Sequence, residues 1–238
     1  MRNQALYLLP NIFTAASTYI GVLSIIYSIK GDLSLAGWLI VIAAVFDGLD
    51  GRIARATGTT SRFGMEFDSL SDAISFGVAP AILLFCSFGE EYGKFGVLVS
   101  ALFVVFGAVR LARFNVTTVS EPNVFIGVPI PAAAVFVVSW VLFLHNYKIP
   151  LLEPVMLFFI LLVAFLMVSN VRYPSFKKLG ELKQNLKKLL IIIISILSLI
   201  YLFPSEALAF LSTVFIISGV VRALYFLIKK RKHLQNID

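Results

Sequence analysis

The feature that most constrains this chain is the recurrence of apolar stretches of about 20 residues, each long enough as a helix to cross a bilayer. Eight follow one another: Ile12–Ile29, Leu33–Arg55, Ser69–Phe88, Gly96–Arg113, Val128–Tyr147, Leu151–Ser169, Leu186–Phe203 and Ala207–Leu227. The chain is 59% hydrophobic and 14% charged, with a mean hydropathy of +0.94. A soluble domain must meet water with its surface, so such a composition excludes one. The connections are short and carry ordinary breakers such as Gly31-Asp32, Gly93 and Pro150, with no repeats and no low-complexity linker. No polar segment is long enough for a second domain. Residues 1–238 are therefore read as one integral membrane domain, an all-α polytopic bundle of about eight transmembrane helices.

The first stretch is longer than the apolar core of a signal peptide, and no small-x-small cleavage site follows it, so no cleavable leader is expected. Cys86 is the single cysteine and sits in an apolar run, which rules out an intrachain disulfide and suggests a buried structural thiol. The net charge of +7 points, in a chain with these spans, to lipid headgroups and not to nucleic acid.

The cationic residues fix an orientation. If both termini are cytoplasmic, 17 of the 20 lysines and arginines fall on the inner side, and only Lys30, Lys94 and Lys148 fall outside. Such a bias is the positive-inside rule. It predicts a multi-pass protein of the cell (inner) membrane with residues 47–72 at the cytoplasmic face. The cluster around Arg231 reads as a topological anchor attracted to anionic lipid. In Tyr173–Leu190, Phe176, Leu179, Leu182, Leu186 and Leu190 recur at helical spacing, while five lysines fill other faces. That pattern predicts a basic helix lying in the interface and running into the next span, with a solvated basic loop as the alternative.

The chemistry concentrates in Asp47-Gly-Leu-Asp50-Gly51-Arg-Ile-Ala54-Arg55 and, eight residues on, Gly64-Met-Glu-Phe-Asp68-Ser-Leu-Ser-Asp72. Asp47 and Asp50 are three apart at the end of one helix; Asp68 and Asp72 are four apart at the start of the next. Each pair shares a helix face, and a short Gly/Thr-rich turn folds the pairs together. Four carboxylates at membrane depth repel one another and lose hydration, and ionisable groups there are expensive and functional. Arg52, Arg55 and Arg62 are too few to balance four aspartates plus Glu66. Two divalent cations, Mn²⁺ or Mg²⁺, between the pairs remove the penalty, because both prefer oxygen ligands, and such ions commonly clamp phosphate oxygens. Gly51, Ala54 and Gly58 leave a helix strip without bulk, suited to a flat ligand or to close helix packing. Arg55, on nearly the same face as Gly51, offers a fork for a phosphate.

The pattern Asp-x2-Asp-Gly-x2-Ala-Arg-x8-Gly-x3-Asp-x3-Asp resembles the signature of the CDP-alcohol phosphatidyltransferases, with every position present between Asp47 and Asp72. Pro10-Asn11-Ile-Phe-Thr14, Ser75-Phe-Gly-Val-Ala-Pro80, Arg113-Phe-Asn115 and Gly127-Val-Pro-Ile-Pro131 look like the bacterial branch that makes phosphatidylserine. The likeness covers essentially the whole chain. It implies that Asp47, Asp50 and Asp68 ligate the metals, and that Asp72 ligates the second metal and acts as general base. It also implies that Gly51, Ala54, Arg55 and Ser61 hold CDP-diacylglycerol, with Asn11 to Thr14 closing over it, and that the protein is a homodimer. The reaction implied is transfer of the phosphatidyl group from CDP-diacylglycerol to the hydroxyl of L-serine, releasing CMP.

Serine's carboxylate needs a cation, and topology offers Arg110 and Arg113, unless they serve as positive-inside anchors; Asn115 is a further donor or an ordinary loop asparagine. His145 and His233 fall on the outer side and in the tail and are given no chemistry. Three other readings stay open. A sister enzyme would use glycerol 3-phosphate or another alcohol, and a dianionic acceptor would call for a denser basic pocket. A membrane prenyltransferase would carry its two Asp motifs on distant helices, whereas these share one hairpin. A non-enzymatic transporter accounts for the helices but not for the Asp–Gly–Ala–Arg spacing.

Overall fold

The computed structural model describes residues 2–116, 124–174, 198–199 and 201–235. Helix α1 spans Arg2–Ile29 and α2 spans Leu33–Thr57. The carboxylate of Asp32 opens α2 by accepting the Leu35 N–H at 3.1 Å. Gly58 closes it in the left-handed conformation, φ +67°, with its N–H returned to the Ala54 carbonyl. A side chain there would be strained, so glycine ends the helix. The strip drawn through Gly51, Ala54 and Gly58 is thereby corrected: it stops at Ala54, and Gly58 belongs to the turn. Ser61 opens α3, Arg62–Asp72, by accepting the Gly64 N–H at 3.0 Å.

The chain stays helical after Asp72 but changes pitch. A π-helical turn, Ala73–Val78, leads into α4, Ala79–Leu84, and a second, Phe85–Gly89, follows it. Pro80 has no N–H to give and its ring crowds the carbonyl four residues back, and a widened turn relieves that conflict. A short 3₁₀ turn, Glu90–Tyr92, then reverses the chain into α5, Gly93–Val116. The apolar run Arg62–Val116 is thus a hairpin whose arms pack on each other. Helix α6 (Ile130–Tyr147) and, after a 3₁₀ turn at Pro150–Leu152, α7 (Glu153–Val168) form the next pair, and α8 runs over Pro204–Gln235.

Six helical segments among the described residues are long and apolar enough to cross a membrane, and the hairpin supplies two passes to that set. The expected span Leu186–Phe203 lies mostly outside the described residues; the other seven expected spans are helical except for Val128, Pro129 and Ser169 at their ends. The bundle centres on α6, whose Ala133, Ala134, Val137 and Val138 are buried against Phe76 and Leu83 of the hairpin and Leu157 of α7. Lipid tails are as apolar as leucine, so what holds such helices together is close packing and interhelical hydrogen bonding. Helix α1 shows both. The Ser17 hydroxyl donates to the Ala43 carbonyl at 3.1 Å, the Ser24 hydroxyl to Ala36 at 2.8 Å, and Ser75 reaches back to the Ser17 carbonyl at 3.1 Å. A Cβ on Gly21 would stand 2.9 Å from the Ser75 Cα, so α1 and the first π turn meet nearly backbone to backbone.

An all-helical reading omits one small element. Strand β1, Val124–Ile126, pairs antiparallel with β2, Arg172–Pro174, setting Phe125 opposite Tyr173. Tyr173 and Pro174, expected to open an interfacial helix, are strand instead; the remainder of that expected helix lies outside the described residues. Tyr173 is fully buried against Gly219 and Phe215 of α8, and burial pushes its phenol up to about 12. Cys86 is half-buried, where a buried thiol was expected.

Element order and contacts separate two ends. The aspartates, the end of α5, the ribbon and the last turn of α7 share one end. At the other, Asn146 donates to Ser205 at 3.1 Å and Tyr147 to Glu206 at 2.5 Å, beside the start of α8. Arg52, Arg55, Arg62, Arg110, Arg113 and Arg172 sit toward the first end, and Lys30, Lys94 and Lys148 at the second.

Candidate active site

The site is assembled from three helices that meet near the first end. Helix α2 brings Asp47 and Asp50, α3 brings Asp68 and Asp72, and α1 packs against both. The turn between Gly58 and Ser61 folds the two carboxylate pairs toward each other, as the spacing predicts. One carboxylate oxygen from each of Asp47, Asp50 and Asp68 lies within 4.8 Å of the others. Oxygens bound to one Mg²⁺ at about 2.0–2.1 Å stand roughly 3–4 Å apart, so a small contraction closes this triad on an ion. Asp47 is central, with Asp68 and Asp72 both against it.

Asp72 stands just outside the triad. It is buried, and its Oδ1 has no hydrogen-bond partner among the described residues. An orphaned buried carboxylate oxygen is costly and asks for an ion, a water or a substrate group. Among the described residues Arg55 faces Asp50 and Arg110 faces Asp72, and two guanidinium groups cannot balance four carboxylates. Hard oxygen donors, unbalanced charge and a vacant Oδ1 together fit divalent cations of the Mg²⁺ and Mn²⁺ class.

The other expected site residues divide. Arg55 is exposed and lies over Gly51, where a Cβ would stand 3.3 Å from Nη1; the missing side chain leaves the guanidinium room along the helix. Ala54 is half-buried one turn on. Asn11 comes to the turn from α1, its Oδ1 and the Ser61 hydroxyl both beside Gly64, where a Cβ would stand 3.3 and 3.1 Å from them. Ser61 is thus a helix cap as well as a neighbour of Asn11. Thr14 is buried and gives its hydroxyl to Asp50 Oδ2 at 2.6 Å.

The three expected serine contacts do not converge. Arg110 faces Asp72, and its Nε is buried without a hydrogen-bond partner among the described residues. Arg113 donates to Asn170 Oδ1 at 2.6 Å and to the Val168 carbonyl at 3.2 Å, at the end of α7. Asn115 is exposed and ties α5 to α3 through Ser69 at 3.1 Å and Glu66 at 3.2 Å. Sequence reasoning placed Thr14 at the site but missed its bond to Asp50 and the other hydroxyls on the inner face of α1. Their signal was present as Thr14, Ser17, Thr18, Gly21, Ser24 and Ser28, small residues at steps of one, three or four.

The CDP-alcohol phosphatidyltransferase family model matches residues 7–171. That family is dependent on divalent cations, and the Asp47, Asp50 and Asp68 triad can bind one. Two Helicobacter pylori proteins, each named CDP-diacylglycerol–serine O-phosphatidyltransferase, are 50% and 49% identical over 227 residues, 94% of this chain and of theirs. The archaetidylserine synthase of Methanothermobacter thermautotrophicus is 41% identical over 174 residues, 72% of each chain. A family match over more than half of the length, and identity of this order from end to end, make the chain a member of the CDP-alcohol phosphatidyltransferase family.

Proposed function

We propose that this chain is a phosphatidylserine synthase, transferring the phosphatidyl group of CDP-diacylglycerol to L-serine at the aspartate cluster. The observation that carries the reading is the convergence of Asp47, Asp50 and Asp68 beside the buried Asp72, in a chain half identical to serine-using relatives. Asp47, Asp50, Asp68 and Asp72 hold two divalent cations, Mn²⁺ or Mg²⁺. Bound there, the cations would supply positive charge to the pyrophosphate of CDP-diacylglycerol as its bond to CMP breaks.

The chain's own groups do the rest. Arg55, lying over Gly51 and Ala54, forks onto a phosphate of CDP-diacylglycerol, and Asn11 and Ser61 close the nucleotide in from the turn. The acyl chains stay in the bilayer. Asp72 Oδ1 accepts the proton of the serine hydroxyl. The serine oxygen then bonds to the phosphorus bearing diacylglycerol, the bond from that phosphorus to the CMP oxygen breaks, and CMP leaves. A base must sit within hydrogen-bond reach of the proton it takes, and the unpartnered Oδ1 is the atom available for it. Arg110, three residues from Arg113 and facing Asp72, receives the serine carboxylate.

The active enzyme is a homodimer in the cell membrane, with both termini and the site on the cytoplasmic side. The charge partition between the two ends supports that orientation. The experiment is an acceptor panel. Purified protein with CDP-diacylglycerol and Mn²⁺ is expected to release CMP with serine and not with glycerol 3-phosphate or inositol. Release with glycerol 3-phosphate alone would assign the chain to a sister activity of the same family.

A further inference from the structure

Thr14 sits on α1, a helix that carries none of the four aspartates, yet its hydroxyl makes a short side-chain hydrogen bond to the cluster. It donates to Asp50 Oδ2 at 2.6 Å, with both residues buried. The same hydroxyl lies 3.2 Å from the Pro10 carbonyl, the ordinary helical back-bond. The carboxylate contact is shorter and charge-assisted, so it takes the proton.

Thr14 is itself held. Its carbonyl accepts from the Ser71 hydroxyl at 3.2 Å, and the Thr18 hydroxyl donates to Ser71 at 2.8 Å. Ser71 is the residue before Asp72. One short chain of hydroxyls therefore joins α1 to both metal-bearing helices, to Asp50 through Thr14 and to the backbone of Asp72 through Ser71. Below it, the Gly21–Ser75 approach and the Ser75 bond to the Ser17 carbonyl fix the distance of α1 from the hairpin. The hydroxyl of Thr14 is committed and its side chain is buried, so it has little left to offer a lipid.

We propose that Thr14 is a positioning residue for the metal centre. Its hydroxyl pins Asp50 Oδ2 and turns Oδ1 toward Asp47 and Asp68. The inference rests on the metal-binding reading of the triad and adds to it a dependence on α1. Metal-ligating carboxylates are commonly oriented by such hydrogen bonds, and loss of the outer partner costs about 10–100-fold in metal affinity.

The test is equilibrium Mn²⁺ binding to purified full-length protein, read from the electron paramagnetic resonance signal of free Mn²⁺ in the absence of substrate. The Mn²⁺ dependence of serine-dependent CMP release is a second readout. Thr14→Val keeps the volume and removes the donor; Thr14→Ser keeps the donor and removes a methyl. Thr14→Val is expected to weaken Mn²⁺ binding by about 10–100-fold and to raise the Mn²⁺ needed for half-maximal activity in parallel. Thr14→Ser is expected to bind within roughly threefold of the parent, well inside that loss. Thr14→Ala is measured in the same way in case valine prevents folding, with thermal unfolding as the control. Parent-like Mn²⁺ binding by the donor-less variants, or equal weakening by Thr14→Ser, overturns the proposal and leaves the metal site intact. Failure of the parent to bind Mn²⁺ at all overturns the metal reading itself.

Discussion

Asp72→Asn separates a base from a ligand at one oxygen. Asparagine keeps the volume and one carbonyl oxygen but cannot take a proton. In the structure the side chain is buried between Asp47 and Arg110, with Oδ1 free of partners. An amide there can donate to Asp47, so the packing survives. The triad of Asp47, Asp50 and Asp68 is complete without Asp72, and much of the metal affinity should survive too. What is lost is acceptance of the serine proton. General bases contribute typically 10²–10⁴-fold, or about 3–5 kcal/mol of barrier. The assay is serine-dependent CMP release across a Mn²⁺ titration, alongside CDP-diacylglycerol affinity. Turnover is expected to fall by about 10²–10⁴-fold at every Mn²⁺ concentration, with nucleotide affinity nearly kept. Asp68→Asn removes a member of the triad and should instead weaken metal binding, nucleotide binding and turnover together. Excess Mn²⁺ restoring Asp72→Asn to near-parental turnover would refute the reasoning and leave Asp72 a ligand only.

Other consequences are as direct. Gly21→Ala places a Cβ 2.5 Å from the Ser75 hydroxyl and 2.9 Å from its Cα, so helix α1 must shift. A loss of about 1–3 kcal/mol, the usual range for overpacking, is expected in thermal or denaturant unfolding, and an unchanged stability would contradict the close approach. Arg110→Gln should raise the serine KM by roughly 10–150-fold, the worth of a charged hydrogen bond of about 1.5–3 kcal/mol. Arg113→Gln, cut from Asn170 rather than from the cluster, should raise it far less, and the reverse order would exchange their roles. Cysteine labels near Lys230 should react from the cytoplasmic side and labels near Glu91 from the outside; the opposite pattern would invert the topology.

The passes were legible because a helix in hydrocarbon leaves a long apolar run, and the aspartate hairpin because steps of three and four put each pair on one face. What stayed hidden depended on partners distant in sequence. Val124–Ile126 and Arg172–Pro174 are three residues each, too short for a strand pattern, and pair only because α6 and α7 bring them together. Thr14, Thr18 and Ser71 each look like ordinary small helix residues; only the approach of α1 to α3 makes them a chain. Arg110 and Arg113 share a topological position, so sequence could not separate the one facing Asp72 from the one tied to Asn170. Gly58 looked like part of a small-residue face because its spacing continued the helix, whereas its backbone ends it.

The central claim is that four carboxylates from one hairpin act through bound divalent cations to release CMP to serine's attack. It is tested most directly by measuring serine-dependent CMP release from CDP-diacylglycerol after EDTA treatment and again after Mn²⁺ or Mg²⁺ is returned. The account predicts no release in the first case and recovered release in the second. Full turnover in a rigorously metal-free sample would contradict it.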